Sequence, residues 1–136
     1  MLRRTLSTFT VLLTTGLLLS ACQTTKHVAA TADEVTAQIS GNWNGYFINK
    51  KGRRYPLSFQ LKNNNGRITG TGNIPSSSHD KTPSLTGTIQ LNKVKWTTSA
   101  NFTYHLQMSK DETGTYHLSG PVTGPNHGRL EATKAR

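Results

Sequence analysis

Apolar and polar residues alternate with a period of two from residue 43 onward, the pattern of strands that bury one face. Eight short runs show this alternation, and Gly, Pro, Asn and Ser separate them. In the clearest run, apolar side chains occupy every second position: Tyr55, Leu57, Phe59 and Leu61. The eight runs are 43–49, 55–62, 67–74, 84–91, 93–98, 101–109, 115–122 and 127–133.

This pattern predicts an all-β fold, a small antiparallel meander β-barrel of about eight strands. No run is apolar on both faces, which argues against a buried parallel sheet. The Asn65-Gly66 pair accepts the positive φ angles of a tight hairpin. An eight-stranded barrel is about the smallest that side chains can fill or that can hold one small ligand. A two-sheet sandwich fits the same alternation and is the alternative.

The alternation also predicts which residues face the interior. Leu91, at the end of the fourth run, is expected to face inward. The residues predicted to fill the barrel or line a ligand are aromatic: Trp43, Phe59, Trp96 and Tyr104. Four inward positions are glycines instead, Gly70, Gly72, Gly87 and Gly120. Either these glycines let tightly coiled strands bend, or their missing side chains open a ligand cavity.

The first 22 residues have the order of a secretory signal peptide. Arg3 and Arg4 precede an apolar stretch from Phe9 to Leu19, which is shorter than the ~20 residues of a membrane span. The sequence Leu19-Ser20-Ala21-Cys22 then resembles the lipobox of bacterial lipoproteins. That resemblance implies cleavage before Cys22 and acylation of Cys22, with palmitate among the expected chains. The alternative is a soluble secreted protein in which Cys22 merely lies near an ordinary cleavage site.

The lipobox resemblance sets the expected organisation and location. Residues 1–21 are a lipoprotein signal peptide, 22–40 hold the lipidated Cys, a tether and a short helix, and 41–136 form the β-barrel domain. Thr31 as an N-cap with Glu34 three residues later predicts a helix over 31–39. Gln23 replaces the Asp that favours inner-membrane retention in enterobacterial lipoproteins. The expected location is therefore the cell envelope, with the lipid anchor in the outer membrane.

Short motifs in the barrel region are similar to those of the calycin superfamily. Gly41-Asn42-Trp43 resembles the Gly-x-Trp signature of lipocalins, in which a basic residue of the last strand lies across the indole. Arg129 is expected in that role. Residues 66–71 and 85–87 are more similar to avidins. The resemblance covers 41–133 and implies a calycin-like barrel, but the chain has only two Trp residues, so no avidin ligand residues are transferred.

The sequence provides poorly for catalysis and predicts no enzyme and no cofactor. Its six carboxylates fall in the expected helix, in loops or on outward strand positions, and the barrel contains no Cys. His105 and His117 are expected as diagonal neighbours about 7 Å apart on the barrel surface. Two histidines fall short of the four ligands of a structural zinc site, so no metal site is predicted.

Charge supplies the leading functional hypothesis. The chain carries 16 Lys and Arg against 6 Asp and Glu, a net charge of +10. Four cations are concentrated in one turn, Lys50, Lys51, Arg53 and Arg54. Such a turn is expected to bind or scaffold an anionic envelope component, namely anionic lipid, lipopolysaccharide or peptidoglycan. The alternative is a calycin-like carrier of an apolar small molecule. Specific nucleic-acid binding is disfavoured because the aromatic residues alternate inward.

Overall fold

The computed structural model describes residues 28–29 and 37–136. Within them, no helix is long and apolar enough to cross a membrane. The strands are β1 (Val28–Ala29), β2 (Gly41–Asn49), β3 (Arg54–Asn64), β4 (Arg67–Asn73), β5 (Ser84–Gln90), β6 (Lys93–Thr98), β7 (Thr103–Lys110), β8 (Tyr116–Thr123) and β9 (Gly128–Lys134).

Strands β2 to β9 form a closed antiparallel barrel, which confirms the predicted fold class. Each strand pairs with the next along the chain, and β2 pairs with β9 to close the circle. The sandwich alternative is wrong, because one continuous sheet surrounds the interior. The short β1 pairs with Lys110 and Ser109 at the end of β7.

The hairpin between β3 and β4 forms as its residues predict. Asn65 and Gly66 have φ angles of 50° and 86°, which Asn and Gly tolerate better than other residues. The prediction that Leu91 faces inward is wrong. Leu91 lies in the two-residue turn between β5 and β6, with a φ of 55°. Its side chain is 66% exposed rather than inward. The strand ends at Gln90, so the alternation no longer decides where Leu91 points.

The interior is packed around three aromatic rings. The centroids of Phe59 and Trp96 lie 5.2 Å apart, and both rings contact Tyr104 at 5.5 and 5.2 Å. These separations are typical of favourable aromatic pairs. Aliphatic side chains of the surrounding strands complete the core at the predicted inward positions.

One end of the barrel, which we call the closed end, is plugged. It carries the turns at 65–66, 91–92 and 111–115 and the chain entry at 37–40. Ile39 and Trp43 are fully buried there, and the Trp43 indole donates a 2.9 Å hydrogen bond to the Ile39 carbonyl. Of the predicted helix 31–39, residues 37 and 38 are helical, and 31–36 lie outside the described residues.

The inward glycines are explained by close strand packing. A Cβ atom at Gly70 would overlap the carbonyl oxygen of Gln60 on the neighbouring strand. Gly87 and Gly120 meet backbone carbonyls of their neighbouring strands in the same way. At Gly70, Gly87 and Gly120 the expectation that a missing side chain opens a cavity is therefore wrong, because backbone occupies that space. At Gly72, a Cβ would instead meet the Phe59 side chain at 3.2 Å.

Candidate functional site

The opposite end of the barrel, which we call the open end, contains a cavity of about 650 Å³. The turns at 50–53, 74–83, 99–102 and 124–127 surround this end. The cavity volume lies within the ~300–1,000 Å³ typical of ligand pockets. Its apolar wall and floor are formed by Phe47, Tyr55, Leu57, Ile74, Phe102 and Tyr104.

The rim of this cavity is basic. Lys50, Lys51 and Arg53 line it, and so do His79 and His127. No Asp or Glu is among the residues that line it. We call this rim together with the apolar floor the basic mouth. A negatively charged group would meet cations there without opposing carboxylates.

Asn49 fixes the shape of the turn that carries these cations. Its side-chain oxygen accepts hydrogen bonds from the backbone amides of Lys51 and Arg53, at 2.9 and 3.0 Å. Gly52 supplies a φ of 76°, in the left-handed region that favours glycine. The Asn49 side chain therefore holds the backbone of the turn, and Lys50, Lys51 and Arg53 are exposed on it.

Arg54 is separated from the other three cations of the turn. It begins β3 and does not line the cavity. Its guanidinium lies 4.5 Å from the centroid of the Tyr46 ring and 3.8 Å from the Glu131 carboxylate. Arg54 thus takes part in an outer-surface cluster, because the start of β3 directs it away from the mouth.

Tyr104 joins the barrel core to the mouth. Trp43, Phe59, Trp96 and Tyr104 are all buried, as predicted, but of these four only Tyr104 lines the cavity. Burial raises the pKa of Tyr104 to about 12, so its hydroxyl stays protonated. Among the described residues, the buried Trp96 indole N–H is a side-chain donor without a hydrogen-bond partner. Of these two side chains, Tyr104 lines the cavity floor and brings a protonated hydroxyl to it.

The last strand brings a different cation to Trp43 than expected. Arg129 pairs in register with Ile48, seven residues after Gly41 at the start of β2, and forms a 3.5 Å ion pair with Glu131. The expected placement of Arg129 across the indole is wrong. Lys134 is the register partner of Trp43, and its ammonium donates to the Gln38 carbonyl at 2.6 Å. Burial lowers the pKa of Lys134.

The prediction that His105 and His117 are diagonal neighbours is also wrong. His117 pairs with Ser109, which lies four residues beyond His105 on β7. At ~3.3 Å per residue this offset separates them by about 13 Å rather than 7 Å. His117 instead contacts the Asp111 carboxylate at 2.7 Å. Among the described residues, no three His, Cys, Asp or Glu side chains form a group that could hold a metal ion.

Asp111 organises the turn at the closed end between β7 and β8. Its carboxylate accepts hydrogen bonds from the Thr113 hydroxyl, the His117 ring and the Thr115 amide. The Thr113 hydroxyl first, and then the His117 ring, hold the pKa of Asp111 well below its usual range. This arrangement accounts for a stable turn and lies far from the basic mouth.

His79 and His127 were not anticipated as site residues. They come from the β4–β5 loop and the β8–β9 turn, 48 residues apart in the chain. In a meander, alternate turns fall at the same end of the barrel. The order of the runs therefore already indicated that His79 and His127 lie at the same end. Cys22, the predicted lipid attachment point, lies outside the described residues.

Comparison with known proteins supports the fold alone. No protein-family model and no curated protein matches the chain. Among solved structures, a redesigned β-barrel is similar with a TM-score of 0.54 and 12% sequence identity. The similarity covers 76% of this chain and 96% of that chain. The chain is thus similar in architecture to a small β-barrel.

Proposed function

We propose that this protein is a non-enzymatic, lipid-anchored protein of the bacterial outer membrane whose basic mouth binds an anionic lipid. The observation that carries the proposal is the composition of the mouth. Lys50, Lys51 and Arg53 line the rim above an apolar floor, and no carboxylate lines the cavity. The headgroup anion would lie among the cations, and the first part of an acyl chain would lie on the floor.

The basic rim and the apolar floor of the mouth together favour an amphipathic anion over other envelope ligands. Phosphate and carboxylate groups are stabilised by several Lys and Arg near one point. The Tyr104 hydroxyl at the floor donates to an acceptor such as a glycerol ester oxygen. A fully polar polyanion would leave the apolar surface that the floor exposes to the cavity uncovered. A purely apolar ligand would bring no anion to the rim.

The test compares two triple variants with the same loss of charge. Replacing Lys50, Lys51 and Arg53 by Gln should weaken binding to phosphatidylglycerol vesicles by up to ~3 kcal/mol, at ~1 kcal/mol per charge. The control replaces three exposed cations of the outer barrel wall by Gln, none of which lines the cavity: Arg54, Lys95 and Arg129. Flotation with vesicles measures both. Equal losses in the two variants would show that binding is general surface attraction rather than a property of the mouth.

A soluble probe separates the proposed ligand from the alternative carrier function. Calorimetry should show binding of lysophosphatidylglycerol, weaker binding of glycerol phosphate, and a decrease on raising salt, because exposed charges are screened within ~10 Å at 0.1 M. Salt-independent binding of an uncharged long-chain alcohol, with no preference for the phosphate, would favour the calycin-like carrier instead.

The anchor is tested separately in cells. Cys22→Ser should abolish incorporation of labelled palmitate and release the protein from the membrane fraction, because the thiol is the expected attachment point. A Ser variant that still takes up palmitate would contradict the lipoprotein assignment.

A further inference from the structure

We propose that the basic mouth takes its lipid in trans, from a surface other than the membrane that holds the anchor. This inference rests on the proposed function, since it assumes both an anchor at Cys22 and lipid binding at the mouth. It adds the direction in which the mouth is presented, which decides which lipids the protein can reach.

The chain enters the barrel at the end opposite the mouth. Gly41 begins β2 at the closed end, and Ile39 is buried beside Trp43 there. The β1 strand lies at the same end, because Val28 pairs with Lys110, the last residue of β7. Both described segments that precede the barrel therefore lie at the closed end, and the mouth lies at the other.

The length of the barrel separates the anchor from the mouth. Cys22 is six residues before Val28, so at ~3.5 Å per residue the anchor lies within about 20 Å of β1. The nine residues of β2 span ~30 Å along the strand, or roughly 20–25 Å along the barrel axis at the usual strand tilt. A Debye length of ~8 Å at physiological salt is much shorter than that. At the mouth, the charge of the anchoring membrane is therefore largely screened.

Surface charge favours the same orientation. Lys62, Arg67 and Lys93 are exposed near the closed end, where β3 ends and β4 and β6 begin. Basic residues close to an anionic leaflet are attracted to it at ~1 kcal/mol each. With the anchor on the same side, these cations hold the closed end towards the anchoring membrane and direct the mouth away from it.

The test couples the barrel to vesicles in two opposite orientations. Cys22 is the single thiol of the chain, so residues 22–136 can be coupled through it to a maleimide lipid in phosphatidylcholine vesicles. The reversed form carries Cys22→Ser and Thr82→Cys. Thr82 is exposed in the open-end loop and does not line the cavity. Both forms carry Gln at Lys62, Arg67 and Lys93, which removes capture by the closed end.

Capture of labelled phosphatidylglycerol vesicles is then measured by co-flotation. The Cys22-coupled form should capture at least ~10-fold more vesicles than the reversed form, because only its mouth faces outward. Equal capture by both forms, or more capture by the reversed form, would overturn the trans orientation while leaving the proposed function standing. If neither form captures vesicles and the uncoupled protein also fails to bind them, the proposed function fails and this inference fails with it.

Discussion

Replacement of Trp43 by Ala should be among the most damaging single changes in the barrel. The side chain is fully buried at the closed end, where it packs against the core and beneath Ile39. Truncating a buried Trp to Ala costs ~3–5 kcal/mol, because apolar contacts are lost and a cavity remains. About 1 kcal/mol of that cost comes from the hydrogen bond to the Ile39 carbonyl.

Urea denaturation followed by circular dichroism measures this effect. With a slope of ~1.3 kcal/mol per M for a small domain, the midpoint should fall by roughly 2–4 M. Because total stabilities are only ~5–15 kcal/mol, the Ala variant can be partly unfolded before urea is added. Trp43→Phe, which keeps most of the ring and removes the N–H donor, should therefore be measured beside it and should lose ~1–2 kcal/mol.

Tyr46→Ala is the matched control on the same strand. Tyr46 is 42% exposed and contacts the Arg54 guanidinium, so its loss should cost less than ~1 kcal/mol. If the midpoint of Trp43→Ala is unchanged, or if Trp43→Ala and Tyr46→Ala lower the free energy of unfolding equally, the side chains at the closed end are not packed as described.

Three further substitutions test other parts of the structure. Gly70→Ala should destabilise the barrel by ~1–3 kcal/mol, because its Cβ would overlap the Gln60 carbonyl, whereas the outward Thr71→Ala should change stability little; equal urea midpoints would contradict the close strand approach. Tyr104→Phe should leave the urea midpoint unchanged or slightly raised, since burial is the only contribution to the raised pKa of its hydroxyl, and should weaken lysophosphatidylglycerol binding. Asp111, whose pKa is lowered in the folded state, should stabilise the fold above the ordinary carboxyl pKa of ~3.9 and lose that contribution as pH falls through its lowered pKa. Acid unfolding should therefore depend less on pH in Asp111→Asn, and a carboxyl carbon that titrates near 3.9 by NMR would contradict this.

The strands were predictable because each has one buried face. In a half-buried strand the period of two is enforced at every residue, so Phe59, Trp96 and Tyr104 could be placed inside from sequence. The same rule failed at Leu91, because alternation continues by chance into a turn where no sheet fixes the direction of the side chain. Local pattern therefore predicts strand faces better than strand ends.

The local sequence pattern did not predict the register in which neighbouring strands pair. Arg129 was misplaced because the alignment of β9 on β2 depends on pairing residues about 90 positions apart, which pairs Trp43 with Lys134. The His105 and His117 error has the same origin on a smaller scale. Asp111 and its hydrogen bonds shape the turn so that His117 pairs with Ser109, two residues further along β7 than expected.

The sequence predicted only part of the candidate site. The cluster of cations in one turn indicated an anion-binding surface, and Lys50, Lys51 and Arg53 do line a cavity. The sequence predicted Tyr104 inside the barrel but did not indicate that it lies beneath these cations, because Tyr104 in β7 and Phe102 just before β7 come from another part of the circle. The contrast between Arg53 and Arg54 also needs the structure, since adjacent residues at a strand start point to opposite faces.

The position of the mouth follows from how tightly the barrel is closed. Gly70, Gly87 and Gly120 let neighbouring backbones approach so closely that no side chain fits between them. With Phe59 and Trp96 filling the centre, a ligand has little room in the middle of the barrel. Room for a ligand inside such a barrel is therefore expected where the packing ends, at one of its two ends. Ile39 and Trp43 fill the end where the chain enters, so the 650 Å³ cavity lies at the other end, with Lys50, Lys51 and Arg53 at its rim.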